Sequence, residues 1–408
     1  MKLTPSLITI FTGLALSTGY SQQVQADDAF FDALSSGKAK VDFRLRYEDV
    51  SQDNAVADAS ALTFRTRIAY TSGSLNGWSG TFELEDNRIV LGQGDYTVGP
   101  TGYNLGEYSV IADPEFTELD QAFIQYKSDA FTFKLGRQVI ALDGHRFIGH
   151  VGWRQDRQTF DAATLIYAPN DKFSAHYSYV TQRNRIFGEA ADFDSKDHLL
   201  NLGYKTAYGT LKAYSYLLEI DETTDNALDT YGVSFKGATK AKDKSDVSFL
   251  YGLEFATQTA ENDAAGTSFD ATYTFAEIGA VYSGVTAKLA YEVLGSDDGN
   301  FGFATPLATL HKFNGWTDQF LGTPAQGLVD TSVSFSGKAG PGKWLAVYHD
   351  FSADESSDLV DDLGSEINLQ YSMPFAKHYT AAIKYATYSG ESGRVDADKL
   401  WLWVSTKF

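Results

Sequence analysis

The stretch Val41-Asp42-Phe43-Arg44-Leu45-Arg46-Tyr47-Glu48 alternates strictly. Successive side chains of an extended chain point to opposite faces. One face therefore carries Val41, Phe43, Leu45 and Tyr47, and the other Asp42, Arg44, Arg46 and Glu48. Two surroundings suit such a strand. A soluble sandwich buries the oily face in a core and leaves the charges in bulk water. A membrane barrel turns the oily face to lipid and the charges into a water-filled lumen.

Composition narrows the choice. The chain has 408 residues, enough for one large barrel. After the first twenty residues no apolar run reaches the roughly 18 that a membrane-spanning helix needs. Aromatic residues make up 14 %, glycine is frequent at 36 and proline scarce at 8, a balance that favours strands and turns. There are no cysteines, which excludes disulfides, Cys-ligated zinc and thiol catalysis. The net charge of −20 argues against nucleic-acid binding. Lys2, the apolar run Leu7 to Leu16 and the small-residue site Val24-Gln25-Ala26 read as a secretory signal peptide, residues 1–26. Residues 27–39 then form a short periplasmic segment, with one helical turn expected between Asp27 and Lys38. Residues 40–408 form a single domain.

Eighteen candidate strands follow, from Val41–Glu48 to Lys399–Phe408. Their connections alternate in length. Gly73–Gly77, Ser128–Ala130, Pro169–Asp171 and Gly340–Gly342 are short. Ile89–Thr117, Val139–Arg157, Asn184–Asp197, Gln258–Asp270 and Gly295–Gly327 are long. Short periplasmic turns and long outer loops mark an outer-membrane barrel. The outer loops are acidic (Asp297, Asp298, and Asp354 to Asp362) and read as solvated. The longest turn on the short-turn side is basic (Lys236, Lys240, Lys242, Lys244). The last strand ends on Phe408, on the apolar face of Leu400, Leu402 and Val404; Trp401 and Trp403 take the other parity. The expected fold is a closed, all-β, antiparallel transmembrane barrel in the outer membrane of a Gram-negative bacterium. Its expected partners are lipid and lipopolysaccharide, and the barrel-assembly machinery through Phe408.

Arginine is uneven: of twelve, eleven fall between Arg44 and Arg185. Arg44, Arg46, Arg65 and Arg67 sit on the polar faces of two consecutive strands and should share one lumenal wall. Rings of Arg or Lys select anions in a pore, and a guanidinium grips a carboxylate bidentately. The opposing reading is a salt-bridge ladder, because Glu83 and Glu85 lie on the adjacent strand. The histidines form no HExxH pattern, no G-x-S-x-G elbow is present, and no cofactor or metal is expected. One loop, Phe301 to Pro324, mixes aromatics with His311, Lys312, Trp316 and Asp318. It suits either a segment packed into the pore mouth to grip a sugar or a loop anchored by its own aromatics.

Thr305-Pro306-Leu307-Ala308-Thr309-Leu310-His311-Lys312-Phe313, with Gly315-Trp316 and Asp318-Gln319-Phe320, resembles the alginate-export porin family. So do Phe43 to Glu48 and Leu135-Gly136-Arg137-Gln138. The resemblance runs from about Lys40 to Phe408. It implies an 18-stranded barrel passing an anionic polysaccharide, with Arg44, Arg46, Arg65, Arg67 and Arg137 at lumenal or near-lumenal positions. The family's alginate exporter has a long periplasmic plug loop, whereas the turns on that side are short here. The expectation is therefore passive diffusion of a small or oligomeric anionic solute, uronate oligosaccharides among them. The alternatives are a general porin with structural arginines, or a blocked-lumen enzyme or adhesin.

Overall fold

A computed structural model of the chain describes residues 20–99, 103–220, 226–241, 243 and 246–408. Helix α1 (Tyr20–Ser35) precedes the strands. It is longer than the single turn expected. Most of the leader expected over residues 1–26 lies outside the described residues, as do Lys242 and Lys244 of the basic turn.

The strands of the wall are β1 (Lys38–Gln52), β2 (Ala59–Thr71), β3 (Trp78–Asp95), β4 (Phe116–Lys127), β5 (Phe131–Gln138) and β6 (Thr159–Tyr167). Then come β7 (Phe173–Asn184), β8 (Phe193–Lys205), β9 (Thr210–Glu219), β10 (Asn226–Ala238), β11 (Ser248–Asn262), β12 (Thr267–Tyr282) and β13 (Val285–Leu294). A small hairpin, β14 (Ser296–Asp297) with β15 (Phe301–Gly302), lies in the following loop. The wall resumes with β16 (Leu328–Ala339), β17 (Gly342–Ser352), β18 (Asp362–Phe375), β19 (Tyr379–Gly390) and β20 (Ala397–Lys407).

These make one 18-stranded antiparallel sheet in which β1 pairs with both β2 and β20. Closure removes the edges that lipid could not satisfy. At the seam Leu45 faces Val404 and Arg46 faces Trp403. The Val41 and Phe408 backbones exchange hydrogen bonds of 3.2 and 2.9 Å. The expected alternation holds. Leu45 is 40 % and Ile68 52 % exposed on the outer face, while Arg46 is 1 % and Arg65 3 % exposed inside. A contiguous apolar belt of this extent is stable only against lipid. Tyr70, Trp78, Phe131, Tyr204, Tyr282 and Tyr379 are exposed near the short-turn rim, and Tyr231, Tyr291 and Tyr348 nearer the other. They are the aromatic girdles of a spanning barrel.

Two expected long loops are shorter than the sequence suggested. Strands β11 and β12 continue pairing to Asn262 and Thr267, and β3 runs on to Asp95. In β11 and β12 these extensions are mostly polar, and in β3 Ile89-Val90-Leu91 puts apolar residues at consecutive positions, so neither shows apolar alternation, but the ladder pairing continues.

Candidate functional site: a lumen narrowed by infolded loops

The inward arginines of β1 and β2 meet a strut. The β5–β6 loop turns into the barrel and lays residues Trp153 to Gln155 across the wall. Arg46 donates to the Trp153 carbonyl at 2.7 Å, and Arg44 donates to the Arg154 carbonyl and, at 2.8 Å, to Gln155 Oε1. Gln155 Nε2 reaches Thr63 Oγ1 at 2.7 Å, and Arg67 donates to the Gln155 carbonyl at 3.4 Å. The β3–β4 loop closes the other side. Its Tyr96, Val98 and Ile111 pack on Val50, Ala59 and Ala61. There Asp113 pairs with Arg46 and accepts the Gln155 amide at 2.8 Å.

The β13–β16 loop supplies the third inward segment. Gly149 donates to the Leu307 carbonyl at 2.7 Å, Thr309 to the His145 carbonyl at 3.0 Å, and Lys312 Nζ to the Gly144 carbonyl at 2.8 Å. A side chain at Gly149 would fall 2.4 Å from Thr309 Oγ1, so only glycine lets the two loops approach this closely. Gly315, at φ 88°, plays the same part against the wall. A Cβ there would lie 2.4 Å from Glu366 Oε2. Without one, the amides of Trp316 and Thr317 and the Thr317 hydroxyl all donate to Glu366.

Where the loops meet the wall, Lys384 of β19 is buried among indoles. Its Nζ lies 3.6 Å from the Trp316 ring centre, 4.1 Å from Trp153 and 5.3 Å from Trp401. It donates to His311 Nε2 at 2.6 Å. An ammonium has only protons to give, so Nε2 is the acceptor and Nδ1 carries the proton it gives to Asp318 at 2.7 Å. His311 stacks on Trp153 at 4.4 Å. Burial pushes its imidazole down to about 3, against the pull of Asp318 and with the added push of Lys384. Asp318 also takes Lys399 at 3.0 Å and Arg154 at 3.2 Å.

Other residues singled out in the sequence fall as follows. Arg65 pairs with Asp42 at 2.6 Å, Arg67 with Glu85 at 2.6 Å, and Glu83 with Arg157 at 2.6 Å. Arg137 shares the parity of Ala122 and of lipid-facing Leu135, and pairs with Asp161 at 2.8 Å. By strand parity this is the outward side near the outer end of β5, whereas the resemblance implied a lumenal or near-lumenal position. Sequence reading missed Trp153, Asp113 and Lys384. A lone lysine on the inward parity of β19, facing inward Trp401 of β20 across the pair, was the available signal.

The loops leave a cavity on each side. The outer one, about 470 Å³, is lined by apolar groups with Arg183, Arg185 and Glu261; the inner one, about 530 Å³, by Trp153, Trp316, His150, Lys312, Lys384 and the Lys288–Glu277 pair. In the β5–β6 loop, burial, His145, Arg157 and Arg67 push His150 down to about 4. Asp156 is fully buried, with its carboxyl against that of Glu118. Burial and then the carboxylates of Glu118, Glu85 and Asp120 hold it well above the usual carboxylate range.

The alginate export family matches residues 36–283. The chain belongs to that family. The match ends before the Thr305–Phe320 segment, so it rests on the first twelve strands of the wall and the loops among them. No curated protein matches the sequence significantly. Among solved structures, the outer-membrane protein OpdK of Pseudomonas aeruginosa superposes with a TM-score of 0.72 at 12 % identity, covering 92 % of this chain and 99 % of that one. Its complex with vanillate gives 0.70 at 12 % identity, covering 92 % and 99 %. OccAB4 of Acinetobacter baumannii gives 0.69 at 13 %, covering 92 % and 100 %. The protein is thus an outer-membrane channel of a Gram-negative bacterium, and its family and fold are those of channels rather than enzymes.

Proposed function

We propose that the channel passes small or oligomeric anionic solutes by diffusion, with uronate oligosaccharides of the alginate type among them. One observation carries this reading. Several inward or cavity-lining cations have no carboxylate at ion-pair distance among the described residues, Arg185, Arg44 and Lys312 among them. Arg185 borders the outer cavity, its guanidinium over Phe187 and Phe193. Arg44 lies beside the strut, bonded to neutral groups. Lys312 is exposed in the inner cavity, bonded to a carbonyl. Such groups replace the hydration of a carboxylate while leaving it free to move on. Vanillate, named with OpdK, has the same carboxylate chemistry, so small aromatic acids belong to the proposed class.

A specific observation favours the second reading, a general porin. Arg46, Arg65 and Arg67 are consumed by Asp113, Asp42 and Glu85. Arg46 and Arg67 also bond the strut, so the part of these three in the proposal is structural, and the selectivity is assigned to cations without a carboxylate partner. The test is reversal potential in planar bilayers under a potassium chloride gradient. Arg185→Glu with Lys312→Glu should move it from the anion side towards the cation side. An unchanged potential in the folded double variant would remove the anion path and leave the general porin.

A further inference from the structure

Helix α1 leads into β1 and carries an apolar flank that no described residue covers. Phe30 is 51 % and Phe31 64 % exposed, and Leu34 is exposed beside them. At 3.6 residues per turn these three share one side of the helix. Asp28, Asp32 and Ser35, all exposed, share another. Between the two flanks lie Ala29 and Ala33, which are partly covered.

The small-residue side meets the barrel. Gly73, in the β2–β3 turn, donates to the Ala33 carbonyl at 2.7 Å, and the Tyr70 hydroxyl donates to the Leu34 carbonyl. Gly37 sits against the Tyr70 ring, where a Cβ would fall 2.2 Å from the hydroxyl. Tyr70 is on the outward parity of Ile68 and belongs to the aromatic girdle at the short-turn rim, near Trp78. The helix is thus pinned to the outside of the wall at the level where lipid gives way to water. Of its two free flanks, one is apolar and continuous with the lipid-facing belt, and the other is acidic.

We propose that α1 is an interfacial anchor whose Phe30, Phe31 and Leu34 enter the headgroup–acyl boundary of the periplasmic leaflet, with Asp28 and Asp32 facing the periplasm. Aromatic and aliphatic side chains on one flank and charges on the other are what an in-plane helix requires, and aromatic rings favour this depth. The anchor would fix the seam strand β1 against rotation out of the bilayer plane without touching the lumen.

The lack of native cysteine allows a clean test in the full-length barrel. Phe31→Cys, Phe30→Cys and Asp32→Cys are each labelled with an environment-sensitive fluorophore and reconstituted in phosphatidylcholine vesicles. Heat-modifiable mobility on gels reports folding. The probes at Phe30 and Phe31 should emit to the blue of the Asp32 probe and lose most of their emission to phospholipid brominated near the headgroup. The Asp32 probe should instead be quenched by aqueous iodide. Two results overturn the proposal. In one, all three probes respond to iodide alone. In the other, the phenylalanine sites are shielded from both quenchers, which assigns the flank to a protein partner or a second copy.

Discussion

Lys384 shows how one side chain can hold a constriction. Its ammonium has left water for three indole faces and one imidazole, and a desolvated cation–π contact contributes about 2 kcal/mol. Lys384→Met keeps the length and removes the charge. We expect single-channel records of this variant to show larger conductance and more frequent flicker, while Lys384→Arg stays nearer the parent; identical traces for Met and parent would refute the role. His150 sets a pH dependence. Its folded value of about 4 lies below the ordinary 6.5, so protonation favours the loop's release. The loop contact is fully kept above pH 6.5 and weakens as pH falls from there towards 4. Protonated His150 would face His145, Arg157 and Arg67, all of which repel it. Flicker should therefore rise over that window, and His150→Gln should flatten the profile.

At the scale of elements, the barrel wall and its inward loops are joined by buried charge pairs, and these are asymmetric. Asp113 serves both Arg46 and the Gln155 amide while fully buried. Removing one partner of a buried pair strands the other, at a cost of roughly 3–5 kcal/mol. Asp113→Ala should lower the urea midpoint of the vesicle-embedded barrel and also raise its conductance, since the strut loses its hold. Arg88, paired with Asp86 on the exposed outer rim, offers the contrast. Exposed pairs contribute about 0–1 kcal/mol, so Arg88→Ala should leave both readouts near the parent. Equal losses in the two variants would mean that the strut does not depend on burial of its ion pairs.

For the whole molecule, closure is the decisive event, because an open sheet of this size cannot be satisfied in lipid. The seam joins the two ends of the chain. Phe408 and Val41 exchange its last two backbone hydrogen bonds, and the Phe408 ring lies 5.8 Å from His378. A chain lacking Phe408 should give a smaller heat-modifiable fraction on refolding into vesicles, and a larger deficit in cells if the assembly machinery reads that residue. An undiminished fraction in both settings would show that the terminal ring serves neither closure nor assembly.

The wall was legible in the sequence because its rule is local. A period of two, read from Val41 to Glu48 and onward, assigns each strand residue to lipid or lumen without knowledge of its neighbours. Arg46, Glu48 and Trp401 were placed inward this way, and Leu402 and Val404 outward. The loops obey no such rule. Arg46 finds the Trp153 carbonyl, and Lys384 finds His311, across long separations in the chain. Those meetings depend on how far a loop of given length reaches into a barrel of given width, and on glycines that let backbones touch. The alternation of Val41 to Glu48 therefore decided that Arg44 and Arg46 enter the lumen. Only the tertiary structure decided that Arg46 pairs with Asp113 as well as with its strand neighbour Glu48, while Arg44 meets only neutral groups of the strut, because Asp113 and the strut come from loops far along the chain.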